Sequence, residues 1–248
     1  MPFPIRQVLL PMLMAVNMAS AAPTAGPPES ATSIPANLQS LLRKSAAVRS
    51  MRADMAMTER QGQSESASTG TITVSRDMGF AIAQFRDGVE IRTVSDFPGR
   101  THYQVFPAER KAVKIAADRP ELVALFRRAA ADVIRPLDML DPATLTELGP
   151  ETLAGEPVRR VAGTTVTRLV EEGAPVRRDL EAWLAESDGL PRKTIEAVEG
   201  GGFATTVYSR VVADPPVDAA MFRFTAPASY EVIDPTKATP APGGAPRR

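Results

Sequence analysis

The sequence predicts an α+β protein in which two to three helices lie against one face of a large antiparallel sheet. Three observations carry that expectation. Apolar and polar residues alternate with a period of two in many short segments, as half-buried strands require. The joins between those segments are tight and rich in turn residues, so consecutive strands pair antiparallel; a parallel pair would need a long crossover. Only a few stretches shift to the three-to-four spacing of a helix face.

The elements follow in order. Residues 37–51 place Leu38, Leu41, Leu42 and Val48 near helical spacing, with Arg43, Lys44 and Arg49 available to the other side, which predicts an opening amphipathic helix. The period changes at Met51. Met51, Ala53, Met55 and Met57 alternate with Arg52, Asp54, Ala56 and Thr58, so a strand begins there. Further strands are predicted over residues 71–76, 79–86, 89–94, 101–106 and 110–116. Asp77 before Met78-Gly79, Asp87-Gly88, Pro98-Gly99 and Pro107 punctuate the joins.

Residues 120–148 interrupt this meander. Leu122, Leu125, Phe126, Ala129, Val133 and Ile134 share one helical stripe, and Asp118 or Arg119 before Pro120 fits a helix start with proline in the first turn. A second helical stretch is expected over 142–148, after Pro136. Strand signals resume over 157–169, 177–185, 192–198 and 203–212, separated by Glu172-Gly173, Asp188-Gly189 and Gly200-Gly201-Gly202. No internal boundary is visible, so one domain is expected over residues 37–234.

The ends read differently. Arg6, the apolar run from Val8 to Ala15 and Ala19-Ser20-Ala21 have the layout of a cleavable signal peptide over residues 1–21. A membrane anchor is the weaker alternative, because Pro11 and Asn17 interrupt the run and it is shorter than the ~20 residues a span needs. Residues 22–36 carry Pro23, Pro27, Pro28 and Pro35, and residues 235–248 carry Pro235, Pro240, Pro242 and Pro246. Both segments are expected to be a disordered linker and tail, unable to bury enough apolar surface to offset the entropy of ordering.

Composition narrows the chemistry. Lys plus Arg and Asp plus Glu each number 29, so no net field draws the chain to nucleic acid. The absence of cysteine excludes disulfides, thiolate metal sites, a cysteine nucleophile and a lipid-modified cysteine anchor. His102 is the one histidine, on a segment where a surface or hydrogen-bonded role outweighs metal ligation. The sequence contains no G-x-S-x-G, H-E-x-x-H, Walker or G-x-G-x-x-G pattern. Gly200-Gly201-Gly202 sits between strand signals and reads as a turn, and Glu171-Glu172 reads as a solvated hairpin tip. The doublets Arg127-Arg128, Arg159-Arg160 and Arg177-Arg178 read as solvated faces. No catalytic residue, metal ligand or cofactor is therefore expected, and the chain is not expected to be an enzyme.

The apolar residues of the early strands are more informative. Met51, Met55 and Met57, with Ile72, Phe80, Ile82 and Ile91, would make a soft, adaptable lining for an irregular ligand. The alternative, simple packing against the helices, is favoured on composition alone.

Two late segments add a resemblance. Residues 178–192 read R-D-L-E-A-W-L-A-E-S-D-G-L-P-R, and residues 217–234 read V-D-A-A-M-F-R-F-T-A-P-A-S-Y-E-V-I-D. Together they resemble the superfamily of LolA and LolB lipoprotein carriers, RseB-type sensors and LppX/LprG-type lipid carriers. There, a tryptophan-bearing strand leads into G-L-P and a later D-x-x-x-F-x-F-x-x-P closes the domain. Residues 99–114, with His102 and Phe106-Pro107, resemble an earlier segment of that group, although its usual tryptophan is missing. Residues 153–165 resemble the strand pair of the LppX/LprG-like proteins.

The resemblance implies an unclosed antiparallel half-barrel whose apolar face is covered by helices and takes acyl chains. It implies a soluble, unanchored periplasmic carrier, expected to be a monomer. Its partners would be the acyl chains of a lipid or lipoprotein and a possible inner- or outer-membrane protein. The alternative is an RseB-like envelope-stress sensor or protein-interaction module. The expected lining residues are Met55, Met57, Phe80, Ile82, Ile91, Leu125, Phe126 and Phe203.

Overall fold

The computed structural model describes Ile34 and residues 36–116, 120–167, 176–198 and 201–235. The expectations for residues 1–21, for most of 22–36 and for the tail beyond Pro235 lie outside the described residues. So do the residues just before Pro120 and the Glu171-Glu172-Gly173 turn.

Helix α1 (Ala36–Ala47) leads into a meander of β1 (Ser50–Gln61), β2 (Ser64–Ser75), β3 (Gly79–Arg86), β4 (Val89–Asp96), β5 (Thr101–Phe106) and β6 (Lys111–Ala116). Helix α2 (Pro120–Ile134) and a 3-10 turn (Pro136–Met139) follow. A second meander comprises β7 (Thr146–Leu153), β8 (Glu156–Thr167), β9 (Val176–Ala185), β10 (Pro191–Val198) and β11 (Gly202–Ala213). Strand β12 (Glu231–Ile233) ends the described fold.

All twelve strands form one unclosed sheet in the order β12-β6-β5-β4-β3-β2-β1-β11-β10-β9-β8-β7. The two meanders join where β1 pairs antiparallel with β11. Tight turns force antiparallel pairing within each meander, and β12 on β6 is the parallel exception among the described strands. At the opposite edge, β7 carries Pro150 and a register shift between Glu147 and Gly149, features that discourage pairing with another chain.

The register assigns each side chain to a face. Met51 pairs with Val74, Ala53 with Ile72, Val74 with Phe80 and Ile72 with Ile82. Met51, Ala53, Ile72, Val74 and Phe80 form a core with Phe97, Leu190 and the α2 residues Leu122, Phe126, Ala130 and Ile134, and Ile82 packs partly buried against it. Helix α1 covers the other half of the same face. Its Leu38 and Leu41 pack with Leu137, Leu140, Val161, Leu180, Ala182 and Leu184. Gly189 fixes that contact: it has φ +74°, and a Cβ there would lie 2.5 Å from the Leu41 carbonyl oxygen.

The structure differs from the sequence reading in four places. The opening helix ends at Ala47 rather than Met51, because the Asp214 carboxylate accepts the Arg49 and Ser50 N–H groups at 2.7 and 3.0 Å and turns the chain into β1. Strand β2 begins at Ser64, seven residues before the predicted start at Thr71, in a run whose polar side chains hid its pairing with β1. Residues 142–148 are not a helix. Asp141 caps a tight turn by accepting the Ala143 N–H at 3.0 Å, Thr144 bonds across to the Thr164 N–H at 2.8 Å, and β7 starts at Thr146. Such a short stretch cannot repay helix nucleation when β8 offers a ladder. Finally, the short parallel strand β12 had no periodic signal of its own.

Candidate functional site

Successive rows across the helix-bearing face show what a ligand beneath α2 would meet. The row nearest the helix contains Ile115, His102, Ser95, Phe80, Val74 and Met51. Phe80 meets Phe97 edge to face at 6.4 Å between ring centroids, and His102 stacks on Phe126 at 4.5 Å and 6°. His102 is 5% exposed, and its Nδ1 lies 2.6 Å from the Ser95 hydroxyl. Burial pushes its imidazole down to about 4, so the ring is neutral under ordinary conditions.

The next rows carry Gln104, Thr93, Ile82, Ile72 and Ala53, then Ile91, Gln84, Gly70, Met55 and Tyr208. Met55, Ile82, Ile115, Val123, Val133, Tyr208 and Val211 are partly buried against the closed core and form its rim. Burial pushes the Tyr208 phenol up to about 12, against the opposing effect of a hydrogen bond with Thr194.

Farther from the helix the floor turns polar. Arg86, Ser68, Met57, Thr206 and Thr194 share one row, and Glu59 and Glu196 belong to the next. The Gln84 amide donates to the Ser68 hydroxyl at 2.5 Å, Arg86 pairs with Glu59 at 3.2 Å, and Arg178 pairs with Glu196 at 3.4 Å. Above this region Asp132 of α2 lies 4.0 Å from Arg128, with Asp138 and Glu196 adding negative charge. Burial raises its carboxyl from 3.8 to about 7, helped by those acids and opposed by Arg128.

The predicted lining residues therefore separate. Phe80 and Phe126 are fully buried between helix and sheet, and Met55 and Ile82 form the rim. Met57 and Ile91 lie half-buried farther along the same face, and Leu125 is half-buried on α2. Phe203 is not with them. It pairs with Arg60, one residue out of phase with Met57 and Glu59, so it belongs to the outer face and is 42% exposed. The period within β11 was legible, but its phase relative to β1 is set by the long-range pairing of Arg60 with Phe203 and Met57 with Thr206. Sequence reasoning also missed Asp132, Tyr208, Gln84 and Gln104, which occupy inward positions that composition alone assigns to solvent.

Two cavities of about 320 and 360 Å³ open near this layer. Phe97, Pro98, Arg100, Val123 and Arg127 line the first, beside α2. Ala46, Ala47, Arg49, Arg76 and Asp77 line the second, beside the end of α1. Among the described residues no group of three or more His, Asp or Glu side chains is placed to hold a metal ion.

Fold and site together define an unclosed antiparallel half-barrel with two helices packed on one face. No family model matches the chain, and neither does any curated protein. Among solved structures it is similar to an uncharacterized conserved protein from Thermus thermophilus, with 12% identity, 80% of this chain and 96% of that chain covered, and a TM-score of 0.49. It is similar to LprF from Mycobacterium bovis, at 11% identity, 79% and 96% coverage, and a TM-score of 0.46. It is also similar to the lipoprotein LppX from Mycobacterium tuberculosis, at 16% identity, 74% and 96% coverage, and a TM-score of 0.42. These likenesses concern the arrangement of strands and helices alone.

Proposed function

We propose that this chain is an exported, unanchored periplasmic carrier that holds an acyl chain of a lipid or lipoprotein between α2 and the sheet. The observation that carries the reading is the apolar layer under α2, with its partly buried rim of Met55, Ile82, Val123 and Val133. The helix meets the sheet through Leu122, Phe126, Ala130 and Ile134, side-chain packing that an entering chain replaces with equivalent apolar contact. Each methylene buried this way stabilises the complex by ~0.8 kcal/mol before ordering costs, so no set of precisely placed polar groups is required. Uptake and release are movements of α2 relative to the sheet, without a chemical step. The motif resemblance of residues 178–192 and 217–234 points the same way.

The test is uptake of a fluorescent acyl probe by delipidated protein. Wild type and the outer-face variant Phe203→Glu are expected to bind equally, whereas Ile82→Glu loses binding while remaining folded by circular dichroism. Absence of uptake by wild type, or equal loss in both variants, overturns the reading.

A further inference from the structure

The cavity beside α2 combines an apolar floor with two cations. Phe97 and Val123 belong to the core layer or its rim, so the floor is continuous with the space assigned to the acyl chain. Arg127 projects from α2 and holds its guanidinium 5.8 Å from the Phe97 ring centroid. Arg100 comes from the β4–β5 turn, whose geometry is fixed at several points. The Gly99 N–H donates to Asp96 at 2.9 Å, the Arg100 N–H donates to the Phe97 carbonyl at 3.3 Å, and Arg100 itself has φ +51°.

Most arginines on this sheet are neutralised. Arg86, Arg92, Arg159, Arg160, Arg178, Arg192 and Arg210 each face a carboxylate. Among the described residues Arg100 and Arg127, like Arg52, Arg60, Arg76 and Arg110, have no carboxylate partner, and these two line one cavity together with Phe97 and Val123 and no acid. Asp96, the acid nearest the turn, is engaged by Gly99 and by Arg223 at 3.2 Å. The second cavity differs in its lining: Arg49 there is paired with Asp77, Arg76 donates to the Ala46 carbonyl at 3.1 Å, and no aromatic floor is present.

We propose that Arg100 and Arg127 form the headgroup site of an anionic amphiphile whose acyl chain runs past Phe97 and Val123 into the layer beneath α2. This rests on the acyl-carrier reading and names its ligand class: a single negatively charged group, phosphate or carboxylate, on an apolar tail. A volume of about 320 Å³ lies at the small end of the ~300–1,000 Å³ typical of small-molecule sites. It accommodates the head and the first methylenes, while the remaining tail enters by displacing α2. Two unpaired guanidiniums beside an apolar floor favour an anion over a neutral head, and their exposure keeps the preference moderate.

The experiment is isothermal titration of the delipidated full chain with myristate, myristoyl lysophosphatidic acid, monomyristoylglycerol and inorganic phosphate. Wild type is expected to bind the two charged amphiphiles about tenfold or more tightly than monomyristoylglycerol. The tighter of the two identifies the head as carboxylate or phosphate. The double variant Arg100→Gln/Arg127→Gln, checked for an unchanged melting curve, is expected to lose that preference while keeping its affinity for monomyristoylglycerol. Arg92→Gln, on the outer face, is expected to keep it. Equal binding of charged and neutral amphiphiles by wild type, or an unaltered preference in the double variant, overturns this inference and leaves the carrier reading standing. Inorganic phosphate binding as tightly as the tailed anions overturns it as well. Binding of no acyl probe overturns both.

Discussion

Replacing Asp132 by asparagine is expected to stabilise the protein above neutral pH and to have little effect in acid. In the folded chain the carboxyl is pushed up to about 7, against an ordinary value of 3.8, chiefly by desolvation of a side chain that is 21% exposed. A group whose pKa is raised on folding favours the folded state fully while both states are protonated. That contribution is lost as pH rises from about 4 through 7. At ~1.4 kcal/mol per pH unit, the gap of about three units amounts to ~4 kcal/mol as an upper bound. Asparagine keeps the volume but also forfeits the attraction of Arg128, 4.0 Å away, so a gain of about 1–3 kcal/mol at pH 8.5 is expected. Urea unfolding of wild type and Asp132→Asn at pH 4, 6 and 8.5 gives the measurement, with the difference growing as pH rises. A gain that is constant with pH, or largest in acid, would refute the assignment of a buried, proton-holding carboxyl at this interface.

Three further outcomes follow from the same layer. His102 acts in the opposite direction to Asp132. Its folded pKa is depressed to about 4, so its contribution is full above pH 6.5 and is lost as pH falls toward 4; His102→Gln should flatten that acid limb when both variants are titrated separately. Phe126→Ala removes the ring stacked on His102 and should cost ~3–5 kcal/mol in urea unfolding, with a loss below ~1 kcal/mol contradicting its core placement. Gly189→Ala places a Cβ against the Leu41 carbonyl at a positive φ, and its melting temperature should fall by several degrees, whereas an unchanged melt would show that α1 docks elsewhere.

Much of this architecture was legible in the residues, and the parts that were not have physical causes. The alternation of Met51, Ala53, Met55 and Met57 marked β1, and Asp87-Gly88 marked the β3–β4 hairpin, because each is set by neighbouring residues. Ser64 to Gly70 carried no such mark. Their strand is imposed by pairing with residues 55–61, a tertiary effect that local pattern does not contain. Residues 142–148 had helix-compatible composition, but Asp141 and Thr144 form a bonded turn and β8 supplies the partner. The site shows the same division. Phe80, Ile82 and Met55 share a face because a strand's period is two, whereas Phe203 required the phase of β11 against β1, which only their long-range pairing sets. His102 and Asp132 have polar side chains that composition assigns to the surface. The burial of His102 and the partial burial of Asp132 depend on where α2 lands, and only the folded arrangement contains that information.

In the proposed carrier, α2 and the sheet close on an acyl chain. Native mass spectrometry of the protein, purified gently from the cells that make it and measured before and after delipidation and re-exposure to lipid, tests this most directly. One acyl-bearing ligand per chain is expected, lost on delipidation, regained on exposure and absent from Ile82→Glu. A chain that carries no ligand from its native setting and acquires none on exposure would contradict it.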